Sequence, residues 1–377
     1  MHHRPRRLSA RLLAALALVA ALLASTLAAS ASAEGGSWYD DDWRKPSKTF
    51  TLTILHNNDG ESELVGSDTE AGVARFQTVV NQQRFKALRG SGRYWWRDRS
   101  RGVILVSSGD NFLAGPAFTA SLNDGVFYDA LALDQLRYDA IDLGNHDFDF
   151  GPEVLADFIT EFRRPGKPPY LSSNLDFSAE PDLQALVDRG VIAKSTVVRE
   201  RGRRIGIIGA TTENLPFISS PRDVVVNAVQ PAVQAEADAL TKRGVDIIIL
   251  ISHLQDIEGD IALAQQLRGI DVMIAGGGDE LLANPDDPLL PSDQALQDDP
   301  DEDDPVFGAY PQIATDADGR QVPVVTTSGQ YGYLGRLAVE FDRKGNVLSW
   351  GGGPIRVLDP SQLTPVLTDA VLANAGI

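Results

Sequence analysis

An α/β domain built on two mixed sheets packed face to face, with helices outside, is the fold class predicted for this 377-residue chain. Three observations predict it. Short apolar runs rich in β-branched residues each end in a Gly, Asn or Asp cluster, the way strands of an α/β sheet deliver side chains to a site at their C-terminal edge. Stretches with apolar residues at helical spacing lie between those runs. Further strand candidates follow, and two sheets in one domain accommodate them.

Taken in order, residues 1–33 have the form of a secretory leader. Arg4, Arg6, Arg7 and Arg11 make a basic start, an apolar run extends from Leu12 to Ala24, and Ala31, Ser32 and Ala33 offer small residues for cleavage. An uncleaved anchor is disfavoured, because the run is short for a membrane span and Ser25 and Thr26 interrupt it. Residues 34–48 form an N-terminal linker. The catalytic region is expected over 49–345, opening with an apolar strand that leads from His56 into Asn57-Asn58-Asp59-Gly60-Glu61. A helix is expected over 70–85. The second strand, 103–106, runs through two serines into Gly109-Asp110-Asn111, and after a helix at 126–136 the third, 138–143, runs into Gly144-Asn145-His146-Asp147-Phe148-Asp149. Helix 152–162 and strand 169–173 follow. Strands at 193–199 and 204–209 flank Arg201-Gly202-Arg203, a hairpin turn signal. After helix 229–242, strand 245–251 ends in Ser252-His253; after helix 261–267, strand 271–275 ends in Gly276-Gly277-Gly278-Asp279-Glu280.

The segment 286–305 carries nine acidic residues and four prolines without periodicity, so it is expected to be a solvated insertion loop, with a calcium-binding loop as the functional alternative. Strands at 322–327 and 336–342 close the domain, and 346–377 is expected to be a C-terminal extension.

Composition excludes several classes of function. At 43% hydrophobic and 23% charged, the chain is globular rather than disordered throughout. A formal charge of −18 repels duplex nucleic acid. Loss of the leader would leave 30 basic against 52 acidic residues, a charge of −22. The absence of cysteine excludes disulfides, thiolate metal sites and cysteine nucleophiles. Any catalytic metal is held by oxygen and by His56, His146 or His253, since His2 and His3 fall in the leader.

Each cluster alone is weak, because an Asp after a strand more often caps a helix or forms a turn. In series they carry more. Asp59, Asp110, Asn145 and His253 supply hard oxygen ligands plus imidazole from separate loops that could converge on one sheet edge, as a two-metal hydrolytic centre requires. Asp110, beside Gly109, is the natural bridging carboxylate. Bridged ions would make hydroxide available near neutral pH and neutralise charge on phosphoryl oxygens.

The order Asp59, Gly109-Asp110-Asn111, Gly144-Asn145-His146-Asp147-Phe148-Asp149 and Ser252-His253 resembles the calcineurin-like metallophosphoesterase superfamily, and within it the bacterial periplasmic 5′-nucleotidase family. The resemblance covers roughly residues 49–345. It implies a four-layer αββα sandwich, a dinuclear metal centre and hydrolysis of phosphate monoesters, commonly nucleotides, by a metal-bridging hydroxide. By position, Asp59 resembles a ligand of one metal, Asp110 the bridge, and Asn145 and His253 ligands of the other. His146 resembles the non-ligand histidine that stabilises the transition state or protonates the leaving group, oriented by Asp149.

Two departures stand out. The family's Asp-x-His is here Asp59-Gly60-Glu61, and its Gly-His-x-His is Gly276-Gly277-Gly278-Asp279. Glu61 and Asp279 would replace two imidazoles with carboxylates, whereas Gly277 offers no side chain and leaves a ligand missing unless Glu280 or water fills in. Such a site shifts preference from zinc towards manganese, magnesium or calcium. The family's nucleoside-binding C-terminal domain is expected to be absent.

Three other features are given structural readings: Arg93-Tyr94-Trp95-Trp96-Arg97 as a packed surface loop, Ile205-Gly206-Ile207-Ile208-Gly209 as strand packing, and His56 as a structural residue. The leading expectation is an exported metallophosphatase acting on a small phosphate ester, periplasmic, secreted or at the cell surface, with no membrane span after cleavage. The alternatives are a phosphodiesterase, cyclic-nucleotide phosphodiesterases included, and a non-catalytic metal-binding envelope protein.

Overall fold

The first strand, β1 (Phe50–Asn57), shows how an alternating pattern is turned into layers. Leu52 and Ile54 enter one buried cluster, shared with the second sheet, while Leu55 enters another with Phe76, Val79 and Val80 of helix α1 (Val73–Leu88). Successive side chains on a strand face opposite ways, so one strand serves both cores. Each fully buried Leu or Ile contributes about 1.5–3 kcal/mol relative to exposure.

The structure is a computed structural model that describes residues 49–67, 71–89 and 98–357. The leader, the 34–48 linker, the Arg93 to Arg97 motif and residues 358–377 lie outside the described residues. After β1 and α1 come β2 (Arg101–Ser107), α2 (Pro116–Asp124), α3 (Tyr128–Leu136), β3 (Ala140–Asp142) and α4 (Pro152–Thr160). Then follow β4 (Tyr170–Leu171), β5 (Leu175–Asp176), α5 (Pro181–Asp188), β6 (Ile192–Ala193), β7 (Ser195–Glu200) and β8 (Arg203–Thr211). A short α6 (Leu215–Ile218), β9 (Val225–Val226), α7 (Val229–Lys242), β10 (Ile247–His253), α8 (Ile257–Gln266) and β11 (Val272–Ile274) continue the chain. The last elements are β12 (Leu281–Leu282), α9 (Pro291–Asp298), β13 (Val306–Gly308), β14 (Gln312–Thr315), β15 (Gln321–Val325), β16 (Tyr333–Phe341) and β17 (Val347–Arg356).

Two mixed sheets result. The seven-stranded sheet has the order β17-β16-β1-β2-β3-β4-β6, and the six-stranded sheet the order β14-β15-β11-β10-β8-β7. The six-stranded sheet has a parallel centre with an antiparallel strand at each edge, whereas the seven-stranded sheet is parallel from β1 to β6 and antiparallel only at its β16-β17 edge. Ile247, Ile248, Ile249, Leu250 and Ile251 of β10 are all buried, as a parallel strand covered on both faces requires. The inter-sheet core also includes Ile104 and Val106 of β2, Ile205 and Ile207 of β8, and the inner faces of α7 and α8. The second core lies under α1, α3, α4 and α5. Helix, sheet, sheet and helix therefore make four layers.

The layering places the loops. Paired register runs β1 and β2 to Asn57 opposite Ser107, and β8 and β10 to Thr211 opposite His253. Both parallel centres thus release their polar loops at C-terminal edges. At α8, the Asp256 carboxylate accepts the Gly259 N–H at 2.5 Å as an N-cap, and Ser252 donates to Asp260 at 2.7 Å, fixing the turn that follows His253. That cap starts the helix at Ile257, four residues before the expected 261.

Two sequence expectations need correction. The domain does not end at 345: β17 pairs antiparallel with β16 along its length, so most of 346–357 belongs to the seven-stranded sheet rather than to an extension. The acidic segment 286–305 is not all loop, since Pro291 opens α9, which has no buried residue. Proline at the first helical position donates no N–H that the helix needs. Tyr333 fastens this exposed helix by accepting from Leu290 N–H at 2.6 Å and donating to Asp293 at 2.5 Å. Within β8, Gly206 leaves room for Leu240 of α7, whose Cδ1 would lie 2.8 Å from a β-carbon there. His56 is buried, bonded to Tyr310 Oη at 2.8 Å, and burial lowers its pKa to about 3.

Candidate metal centre

Asp59 follows β1 in a loop held against the loop after β2. Asp59 N–H donates to Gly109 O at 3.1 Å and Glu61 N–H to Asp110 O at 3.0 Å, extending the strand pairing past the end of the sheet. Asn58 anchors the turn from the other sheet, donating to Thr327 O at 2.9 Å and to Asp59 Oδ2 at 2.5 Å. The turn is tight. Asp59, Glu61 and Asp110 have φ of 49°, 50° and 51°, and Asp279 has 57°. Left-handed backbone at side-chain-bearing residues stores strain of order 1–3 kcal/mol each and concentrates at functional sites. Gly109, at φ 97°, lets two loops close: a β-carbon there would lie 2.6 Å from Gly144 N.

Asp59, Asp110 and His253 each offer a ligand atom within 4.8 Å of the others, and all three are buried. His253 Nε2 lies 2.8 Å from Asp110 Oδ2, 4.0 Å from Asp59 Oδ1 and 3.0 Å from Asn145 Oδ1. Its Nδ1 donates to Ser108 O at 2.7 Å, which fixes the ring and turns Nε2 towards the carboxylates. Two carboxylates, an amide oxygen and an imidazole nitrogen thus converge on one buried spot. The donor set fits a divalent ion.

The electrostatics point the same way. Burial first, then the Asp110 and Asp279 charges, pushes Asp59 up to about 7. Burial and the Asp110 charge likewise push Asp147 up to about 8. Burial alone would lower His253, yet the carboxylates of Asp110 and Asp59 outweigh it and hold the imidazole well above its ordinary value. Such a pocket favours positive charge.

His146 enters from the other side. Its backbone N–H donates to Asp110 Oδ1 at 2.8 Å, and its Nδ1 pairs with Asp149 Oδ2 at 2.7 Å. That bond, ahead of the opposing effect of burial, raises His146 to about 9. Ser219, after α6, donates to Asp149 Oδ1 at 2.9 Å and so orients the pair.

The structure thus brings Asp59, Asp110, Asn145, His146, Asp149 and His253 together. Glu61 and Asp279 do not join the 4.8 Å group. Both have raised pKa values, through burial first, and both feel Asp110 and His146. Gln330 donates to Glu61 Oε2 at 3.1 Å. Glu280 turns elsewhere, accepting Ile257 N–H at 3.1 Å. Among the described residues, the acids of 286–305 form no comparable cluster. Sequence reasoning missed Ser219 and Gln255, which lie outside any Gly, Asn or Asp cluster. Gln255 donates to Asn145 Oδ1 at 2.6 Å, and its φ of 85° has no sequence signal.

No family profile matches the chain. Over 320 residues it is 33% identical to a 5′-nucleotidase of Homo sapiens, covering 81% of this chain and 49% of that protein. An apyrase of Aedes aegypti is 29% identical over 341 residues, covering 88% of this chain and 56% of the apyrase. A solved 5′-nucleotidase precursor from Thermus thermophilus superposes with a TM-score of 0.66 at 28% identity, over 87% of this chain and 59% of that one. The chain spans about half the length of the curated relatives it matches.

Proposed function

Because the chain belongs to the calcineurin-like metallophosphoesterase superfamily, on its 5′-nucleotidase side, we propose that it hydrolyses phosphate monoesters, 5′-nucleotides among them, with two divalent ions. The observation that carries this reading is the convergence of Asp59, Asp110 and His253 within 4.8 Å, with His146 bonded to the same Asp110. Asp59 and Asp110 would hold one ion, and Asp110, Asn145 and His253 the other. When bound, the ions supply Lewis acidity that makes hydroxide available near neutral pH and neutralises phosphoryl charge.

The protein's own part lies on the leaving-group side. Asp149 holds Nδ1 of His146, so the protonated ring keeps Nε2–H for the substrate. As the ester P–O bond breaks, that proton passes from Nε2 to the departing oxygen, and an alcohol leaves instead of an alkoxide. Glu61 and Asp279 at the rim would repel a phosphate dianion, which gives the ions a second task in substrate binding. Oxygen donors from Asp59, Asp110 and Asn145 against a single imidazole favour manganese, magnesium or calcium over zinc.

The 1–33 leader supports an exported protein. Among the described residues, no helix is long and apolar enough to cross a membrane.

Phosphate release from 5′-AMP by the purified chain, with manganese, magnesium, calcium or zinc added separately, tests the reading. Ion-dependent release that disappears in Asp110→Ala is expected. No release from AMP or p-nitrophenyl phosphate with any ion would contradict it.

A further inference from the structure

The strand that ends at His253 runs on through Leu254 to Gln255, whose φ of 85° is a conformation that side-chain-bearing residues rarely adopt. Its amide turns inward and lies 2.6 Å from Asn145 Oδ1, the atom that His253 Nε2 approaches at 3.0 Å. Across from it, Gly277 has φ 91°. A β-carbon on Gly277 would lie 2.7 Å from His253 Nε2 and 2.9 Å from Gln255 Nε2. The two positions therefore compete for one space, and in this chain Gln255 fills it while residue 277 has no side chain.

We propose that Gln255 is a ligand of the ion held beside Asn145 and His253, its side-chain amide supplying the oxygen that residue 277 cannot. The proposal rests on the dinuclear reading above. A half-turn of the terminal amide exchanges Nε2 for Oε1 at the same place, because the two ends have nearly the same shape. An amide oxygen suits the hard ions that the neighbouring carboxylates favour, as Asn145 does. Glu280, the other residue within sequence reach, is engaged by Ile257 N–H at 3.1 Å.

Manganese binding to the full chain, followed by calorimetry and electron paramagnetic resonance, tests this without any turnover. Gln255→Gly removes the side chain and relieves the left-handed backbone, so the fold is not put at risk. Gln255→Glu keeps an oxygen at the site in either rotamer. The wild type is expected to bind two ions with an exchange-coupled spectrum. Gln255→Gly is expected to weaken one of them at least about 10-fold and give an isolated-ion spectrum, while Gln255→Glu binds both at least as tightly as the wild type. Two ions bound normally by Gln255→Gly would overturn the proposal. So would equal impairment of Gln255→Glu, since an amide donor to Asn145 is what both variants lack. A wild type that binds no manganese would overturn the dinuclear reading together with this one.

Discussion

The backbone N–H of His146 donates to Asp110 Oδ1 at 2.8 Å, while Oδ2 of that carboxylate lies 2.8 Å from His253 Nε2. One side chain thus couples the proton-carrying histidine to the group that would hold the ions. Gly144 makes the arrangement possible, since a β-carbon there would lie 2.0 Å from Asp110 Oδ1. Gly144→Ala is expected to displace the carboxylate. It should lower manganese affinity at least about 10-fold and destabilise the fold by about 1–3 kcal/mol, measured by calorimetry and chemical denaturation.

On the proposed reading, His146→Ala removes the proton donor and leaves the ion-holding side chains in place. Turnover of 5′-AMP should fall about 10²–10⁴-fold, with metal content by mass spectrometry unchanged. The loss should be much smaller with p-nitrophenyl phosphate, whose leaving group departs without a proton. Equal losses on the two substrates would assign His146 another role.

The hydrogen bond that His146 donates to the Asp149 carboxylate raises its pKa to about 9. A raised pKa means that the protonated form is the one the fold favours. Its contribution to stability is complete below the ordinary value of 6.5 and disappears as pH rises through about 9. NMR titration of the ion-free chain should place the His146 midpoint near about 9, and Asp149→Asn should bring it down towards 6.5.

Burial and neighbouring carboxylates hold Asp59 protonated up to about 7, whereas its ordinary pKa is 3.8. The folded ion-free chain therefore keeps a proton that the unfolded chain releases, and its stability falls as pH rises from 3.8 towards about 7. Added manganese should reverse this, by about 2.7 kcal/mol at a hundred times Kd. Thermal melts at pH 5 and pH 8, with and without the ion, check both signs.

Much of this molecule is legible in its sequence because two periodicities dominate it. Leu52 and Ile54 against Leu55 announce a strand that serves two cores, and the all-apolar run Ile247 to Ile251 announces one covered on both faces. The loops are legible for a different reason: Asp59, Asp110 and Asn145 each follow a strand and His253 ends one, and parallel strands release their C-terminal loops along one edge. What escaped depends on contacts distant in sequence. β17 carries Gly351, Gly352 and Gly353 and is a strand only because β16 lies beside it. α9 is held by Tyr333, 40 residues from Asp293. Ser219 acts through Asp149, 70 residues away, and Gln255 gains its position from the missing side chain at Gly277.

Anomalous diffraction from crystals of the chain grown with manganese tests the dinuclear centre most directly. Two peaks are expected, about 3.5–4 Å apart, sharing Asp110, with Asp59 at one and Asn145 and His253 at the other. A single peak away from Asp110, or none, would contradict the assignment of this edge as the catalytic centre.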